Sequence, residues 1–288
     1  MEGRRVVGVD VGGSGVRAAL AGSSEILVRP LPDRKVGTVL DVVHNLVSQV
    51  TNVDAVGLAV PGFLVDGHIK ASPNFPSWKD VPLGTMLAER IRKPVAVEND
   101  ATAAAVGAWH ARGASEDLVL FTLGTGVGGG AVLGGRVWRG ATGSAGEFGH
   151  IYVGGNRECG CGATGCLETW CSTTGWINWA RTQGRELSDG RALIEAAKRE
   201  EDWALAMLEE SGRALGRGAR TIANALDPDV LVFAGGLTAA RQWLEPGLLS
   251  ALGRAAPPIA ARIKVAWLGK ADRLAIDGSA RVALRLLS

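Results

Sequence analysis

The chain repeats one short pattern, an apolar strand that breaks on glycines and resumes as a second apolar strand. Val6 to Leu20 reads VVGVDVGGSGVRAAL and Leu118 to Val132 reads LVLFTLGTGVGGGAV; placing Asp10 over Thr122 aligns strand, glycine turn and strand. β-Branched and apolar residues favour strands, and glycine admits backbone that other residues resist, so each copy reads as strand, turn, strand. Such a duplicated core, continued by segments of helical spacing, confines the chain to the α/β class. The glycine content agrees, because 41 of 288 residues are glycine without any collagen-like period, roughly twice the usual ~7%.

Between the copies, Val36 to Val50 shows helical spacing, and Val53 to Val60 reads as a strand closed by Pro61-Gly62. Leu83 to Ile91 reads as a helix ending before Pro94, and the strand Val95 to Val97 enters Glu98-Asn99-Asp100 and the alanine-rich helix Ala101 to Ala111. After the second copy come an insert rich in glycine, cysteine and histidine over 140–171, a helical stretch from Asp189 to Ala225, and a strand from Val230 to Phe233 followed by Gly235-Gly236. The last helix spans Ser279 to Leu287. The break at 112–117 divides the chain into expected domains 1–114 and 115–288, with the last helix packing back on the first.

Composition removes several function classes. Thirty-one basic against 29 acidic residues give a net charge of +2 with no long basic run, which is not the footprint of a nucleic-acid binder. Hydrophobic residues at 47% and charged residues at 21% exclude a disordered chain. No apolar stretch approaches the roughly 18 residues of a membrane span, and the Met1–Arg5 lead runs directly into a strand, so the chain is read as cytoplasmic. Its four cysteines all lie between Cys159 and Cys171, which suits a metal site better than a disulfide scaffold.

Glycine turns after strands expose N–H groups and admit phosphate at close range. Three occur, at Gly12-Gly13-Ser14 after Asp10, at Gly124-Thr125-Gly126, and at Gly235-Gly236 after Ala234. The first two satisfy forms of the dinucleotide fingerprint but lead into strands, not helices, and no P-loop string exists. Asp100, at a strand end and helix start, can cap the helix together with Asn99 or serve as a general base, and both roles are compatible. His150, Cys159, Cys161 and Cys166 supply the three thiols and one imidazole of a tetrahedral Zn²⁺ site. Cys171 is not needed there and is expected to pack on the following helix, while Trp170, Trp176 and Trp179 are read as core or subunit-interface residues.

Taken in order, these motifs resemble the ROK sugar kinases of the actin-like ATPase superfamily. Asp10 to Ser14 resembles the family's first phosphate motif, Pro61-Gly62 its sugar-domain turn, Glu98-Asn99-Asp100 its catalytic motif and Leu123 to Gly129 its second phosphate motif. Gly146-Glu147-Phe148-Gly149-His150 with Cys159 to Glu168 is similar to its sugar and zinc signature, and Ala234 to Gly236 to its adenosine motif. Gly15 stands where many relatives carry lysine, and Ser14 replaces a common threonine.

The resemblance implies a two-lobed actin-like (ribonuclease H-like) fold with a cleft between lobes, and ATP-dependent phosphorylation of a hexose, glucose at its 6-hydroxyl, with Asp100 as base. It implies Mg²⁺ near Asp10 and sugar contacts from Gly62, Asn74, Asn99, Asp100, Glu147, His150 and Glu168. Nucleotide would be held by Asp10, Gly12, Gly13, Ser14, Gly124, Thr125, Gly126, Gly235 and Gly236. His150 would use one nitrogen for structural Zn²⁺ and the other for sugar, in a loop expected to lie far from the glycine turns, and the chain would form a homodimer or homotetramer. Alternatives are another hexose (mannose, fructose, N-acetylglucosamine or N-acetylmannosamine), polyphosphate as donor, or a sugar-sensing repressor-type protein, for whose DNA-binding module Asp10 leaves no room. A zinc oxidoreductase is the rival outside the family.

Overall fold

The structure, a computed structural model, describes residues 3–269 and 271–287. The start of the Met1–Arg5 lead and both outer ends of the expected domains, Met1 and Ser288, lie outside the described residues.

The first part of the chain forms β1 (Val6–Val11), β2 (Gly15–Leu20), β3 (Leu27–Pro30), α1 (Val36–Val47), β4 (Ala55–Val60), β5 (Phe63–Val65), β6 (His68–Ala71), β7 (Lys79–Val81), α2 (Leu83–Ile91), β8 (Val95–Asn99) and α3 (Asp100–Ala111). The second part forms β9 (Leu118–Leu123), β10 (Val127–Leu133), β11 (Arg136–Val137), α4 (Glu168–Cys171), α5 (Thr173–Thr182), α6 (Gly190–Lys198), α7 (Asp202–Leu226), β12 (Val230–Ala234), α8 (Arg241–Leu252), α9 (Pro257–Ala260), β13 (Lys264–Leu268) and α10 (Ala271–Leu284). None of the described helices is long and apolar enough to cross a membrane.

Two five-stranded sheets have the orders β3-β2-β1-β4-β8 and β11-β10-β9-β12-β13, so the duplication read in the strands extends to their topology. In the first sheet β1 with β2 and β2 with β3 run antiparallel, while β1 with β4 and β4 with β8 run parallel; in the second, β10 with β11 is antiparallel, while β9 with β12 and β12 with β13 are parallel. A three-stranded sheet, β5-β6-β7, stands apart. The architecture is mixed α/β, with the duplicated core expected from the repeat.

The chain divides into two compact units. Unit 1 comprises Met1–Ser115, Gly130–Gly146 and Asp272–Ser288, and unit 2 comprises Glu116–Gly129 and Glu147–Ala271. The chain therefore passes from one to the other at more places than the 114/115 boundary.

Within unit 1, β1 and β4 are buried along their whole length. Helix α1 turns Val39, Leu40, Val43, Leu46 and Val47 inward, the 3–4 residue spacing of an amphipathic helix. On the opposite face of the sheet the packing is closer. A Cβ on Gly8 would lie 2.0 Å from the Ile276 carbonyl oxygen, on Gly57 1.9 Å from that of Ser279, and on Gly278 1.7 Å from that of Ala103. These glycines let α10 rest directly on β1, β4 and α3, and helix α3 answers with an unbroken buried run from Ala101 to Ala108.

Local chemistry moved some expected boundaries. The helix from 36 ends at Val47 because Ser48 caps it, leaving Val50 in a turn. The stretch 189–225 is two helices, since Glu200 adopts φ +58° between α6 and α7. Strands β3, β5, β6, β7 and β13 carried too little alternation to be read from sequence.

Candidate active site

In unit 1 the chemistry gathers where β1 and β8 end. Asn99 is the N-cap of α3: its side-chain oxygen accepts the Thr102 N–H at 3.0 Å, and its amide nitrogen donates to the Gly62 carbonyl at 3.2 Å. The expected shared cap is thus carried by Asn99, and Asp100 occupies the first helical position. One Asp100 carboxylate oxygen accepts the Ala101 N–H at 2.8 Å. Burial raises its proton affinity above the ordinary carboxylate range, opposed by that backbone hydrogen bond.

Asp10 is 8% exposed on β1. Burial first, then the charges of Asp100 and Asp272, push its pKa up to about 7 against the pull of Arg17. Arg17 is its cross-strand partner on β2 and bridges it, at 3.4 Å, to Asp272 of α10 at 3.3 Å. One guanidinium therefore faces two carboxylates, a place with electrostatic room for a divalent cation. The glycine turn beside it closes through a 2.9 Å bond from Gly12 N–H to the Gly15 carbonyl, leaving Gly13 half-buried and Ser14 exposed.

Asn74 stands in an exposed loop over a buried Phe75–Trp78 stack with centroids 4.2 Å apart. Arg34 ties this loop to the first glycine turn, donating to the carbonyls of Gly13 at 3.2 Å and Asn74 at 3.1 Å. Gly62, at φ +135°, accepts no side chain, because a Cβ would meet the Ala71 carbonyl oxygen at 2.5 Å.

Unit 2 holds the thiols. One donor atom from each of His150, Cys159, Cys161 and Cys166 lies within 4.8 Å of all the others. The Cys161 and Cys166 sulfurs are 3.7 Å apart, and the Cys159 sulfur is 3.6 Å from His150 Nδ1. Tetrahedral Zn²⁺ with bonds of 2.0–2.3 Å requires S–N and S–S edges of about 3.6–3.8 Å, which these two pairs match. Burial, aided by its sulfur neighbours, pushes the Cys166 thiol up to about 12. Three thiolates packed this closely need a cation. His150 Nε2 points the other way, 3.8 Å from the Glu147 carboxylate.

This loop is joined to the second glycine turn, contrary to the expected separation. Two residues past Cys166, Glu168 accepts the Val127 N–H at 2.9 Å through Oε2, and a Cβ on Gly126 would sit 2.4 Å from that oxygen. Gly149, next to His150, packs so tightly on Val127 that a Cβ would lie 2.1 Å from its carbonyl oxygen. Thr173 donates to the Gly124 carbonyl at 2.9 Å and Thr174 to that of Thr125 at 3.2 Å. Gly235, at φ +110°, lies against Leu123, which places Gly235-Gly236 beside Gly124. Cys171 packs on α7, within the helical stretch read from Asp189 to Ala225, its buried thiol donating to the Ser211 carbonyl at 3.0 Å. Trp176 is fully buried, and Trp170 and Trp179 enclose the Arg157 guanidinium at 3.4 and 3.5 Å from their ring centroids.

Sequence reading missed Arg17, Arg34 and Asp272, the charged side chains that meet Asp10, Gly13 and Asn74 or bridge to them. Each is a single residue outside any motif, and only the chain's folding brings it to its partner.

The model of the ROK family matches residues 6–266. A glucokinase of Halalkalibacterium halodurans is 34% identical over 85% of this chain and 84% of its own. Among solved structures, a ROK hexokinase from Thermus thermophilus superposes with a TM-score of 0.85 at 29% identity, covering 98% of this chain and 99% of its own. A ROK family glucokinase from Streptomyces griseus, in complex with glucose and AMPPNP, gives 0.80 at 26% identity with the same coverage.

Proposed function

This chain belongs to the ROK family, and on that premise we propose that it is an ATP-dependent glucokinase that phosphorylates the 6-hydroxyl of glucose. The observation that carries the reading is the state of Asp100, a carboxyl held at the start of α3 by a fully bonded cap, with burial raising its proton affinity. A general base works best when its pKa approaches the working pH. Asp100 takes the hydroxyl proton as the sugar oxygen bonds to the γ-phosphorus, and the bond to the bridging oxygen breaks to release ADP. Phosphoryl transfer depends chiefly on positioning and charge stabilisation.

Each remaining residue has a task in this reading. Gly62, Asn74, Asn99, Glu147, His150 and Glu168 orient the sugar hydroxyls. Glu168 also holds Val127 N–H, so its other oxygen is the one offered to the sugar. Gly12, Gly13, Ser14, Gly124, Thr125 and Gly126 present backbone N–H groups to the phosphates, and Gly235-Gly236 admits the adenosine. Asp10 would hold Mg²⁺, which supplies charge neutralisation on the phosphates. The Cys₃His set would hold Zn²⁺ in a closed structural site whose part is to fix His150 and Glu168. The enzyme would act as a cytoplasmic homodimer or homotetramer.

A coupled ADP-release assay across glucose, mannose, fructose, N-acetylglucosamine and N-acetylmannosamine tests the substrate, with polyphosphate as the alternative donor. Glucose with ATP is expected to give the highest kcat/KM. A tenfold advantage for an N-acetylated sugar would overturn the glucose assignment and leave the kinase reading intact.

A further inference from the structure

Glu98 is a buried carboxylate, 6% exposed, to which the proposed reaction gives no task. It sits on β8 one residue before Asn99 and two before Asp100. One of its oxygens accepts from Arg139, with Nε at 3.1 Å and Nη2 closer still. The other accepts the Asn99 N–H at 3.2 Å. Asn99 in turn bonds to Gly62 and Thr102, so an unbroken chain runs from the Arg139 guanidinium to the first turn of the helix that begins with Asp100.

The position of β8 explains why such a chain is useful. Among the described residues β8 is an edge strand, paired only with β4, in a register that sets Ala59 opposite Glu98 and Val60 opposite Asn99. An edge strand is held by a ladder on one side alone. The end that carries the base would otherwise have freedom on its open side, and a base must be placed to a fraction of an ångström. Arg139 belongs to the segment 130–146, which joins unit 1 from far along the sequence. The same segment packs on α3 at Gly130, where a Cβ would lie 2.9 Å from the Ala101 carbonyl oxygen. It is also braced by Gly143, at φ +84°, against the Leu64 carbonyl. One returning segment therefore grips the strand end and the helix start on either side of Asp100.

We infer that Arg139 is a positioning residue for phosphoryl transfer, acting through Glu98 and Asn99 to fix the Asp100 carboxylate. The guanidinium fork is needed as well as its charge, because a planar pair of donors sets the direction of a carboxylate and an ammonium does not. This inference rests on the kinase reading, so the wild-type protein is assayed first. Absence of hexose kinase activity there would end that reading without bearing on Arg139.

With activity in hand, Arg139→Ala is expected to lower kcat by about 10- to 100-fold, with KM for sugar and ATP within threefold of wild type. Arg139→Lys should recover only part of the loss. Arg139→Ala also strands a buried charge, so the double variant Arg139→Ala/Glu98→Gln separates placement from stability: it should regain the melting temperature but not kcat. The inference is overturned if Arg139→Ala keeps kcat within threefold of wild type. It is equally overturned if the double variant restores kcat together with stability, which would make the pair a structural contact alone.

Discussion

The two five-stranded sheets are built on one plan, and their differences sit at single positions. Asp10 and Thr122 are each the fifth residue of the central strand of their repeat, and each pairs with an alanine, Ala59 of β4 and Ala234 of β12. In the first sheet that position holds a buried carboxyl whose pKa is about 7. In the second it holds a hydroxyl that accepts the Gly128 N–H at 3.2 Å and steadies the glycine turn. The fifth strands differ similarly. β8 runs straight into α3 with Asn99 as cap, whereas two residues separate β13 from α10 and its Asp272. Strand order and glycine turns thus specify the scaffold, while the acids at two strand ends, buried Asp10 and half-buried Asp100, set the first half apart.

Asp100→Asn should show the largest effect. Folding should survive because Asn99 is the cap, and kcat should fall by ~10²–10⁴; retention of more than a tenth of wild-type turnover would erase the catalytic difference between the halves. Next in size is Cys161→Ala, chosen because Cys161 is exposed. Elemental analysis should find zinc in the wild type and none in the variant. Because the loop ends on Val127 through Glu168, KM for sugar should rise about tenfold or more and nucleotide affinity should weaken as well. A zinc-free variant with unchanged kinetics would remove the cluster from the mechanism.

A pH experiment on Asp10 gives a smaller effect of defined sign. The folded protein holds a proton on Asp10 up to about 7, while an unfolded carboxyl releases it near 3.8. Between these values the folded state binds the extra proton, so this group's contribution to stability declines as pH rises through that window and stays lost above it. Asp10→Asn should therefore raise Tm at pH 8 by several degrees, with the gain vanishing by pH 4; equal shifts at both pH values would count against the assignment. Smallest is Thr122→Val, which removes one acceptor and should cost about 1 kcal/mol, seen as a fall in Tm of about 2–4 °C.

Legibility followed the range of the interaction. Glycine turns, the Cys₃His spacing and the Asn99-Asp100 helix start are local patterns, and each could be read from a few neighbouring residues. The Arg34 bonds to Gly13 and Asn74 could not, because they span 21 and 40 positions. Nor could the Glu98–Arg139 pair, whose partners stand 41 positions apart. The particular partner of Cys171, Ser211, likewise lies 40 residues on.

The sequence by itself determined the α/β class, the duplicated strand-turn-strand core, the family and the Cys₃His set that the fold brings together, because periodicity, turn chemistry and motif spacing are properties of short segments. Only the tertiary structure decided that segment 130–146 returns to unit 1, that the thiol loop abuts the second glycine turn, and that Arg17 faces both Asp10 and Asp272. Those outcomes depend on which backbones approach within van der Waals contact. Glycines such as Gly57, Gly149 and Gly278 permit that approach, but nothing in their immediate neighbours names the segment that arrives.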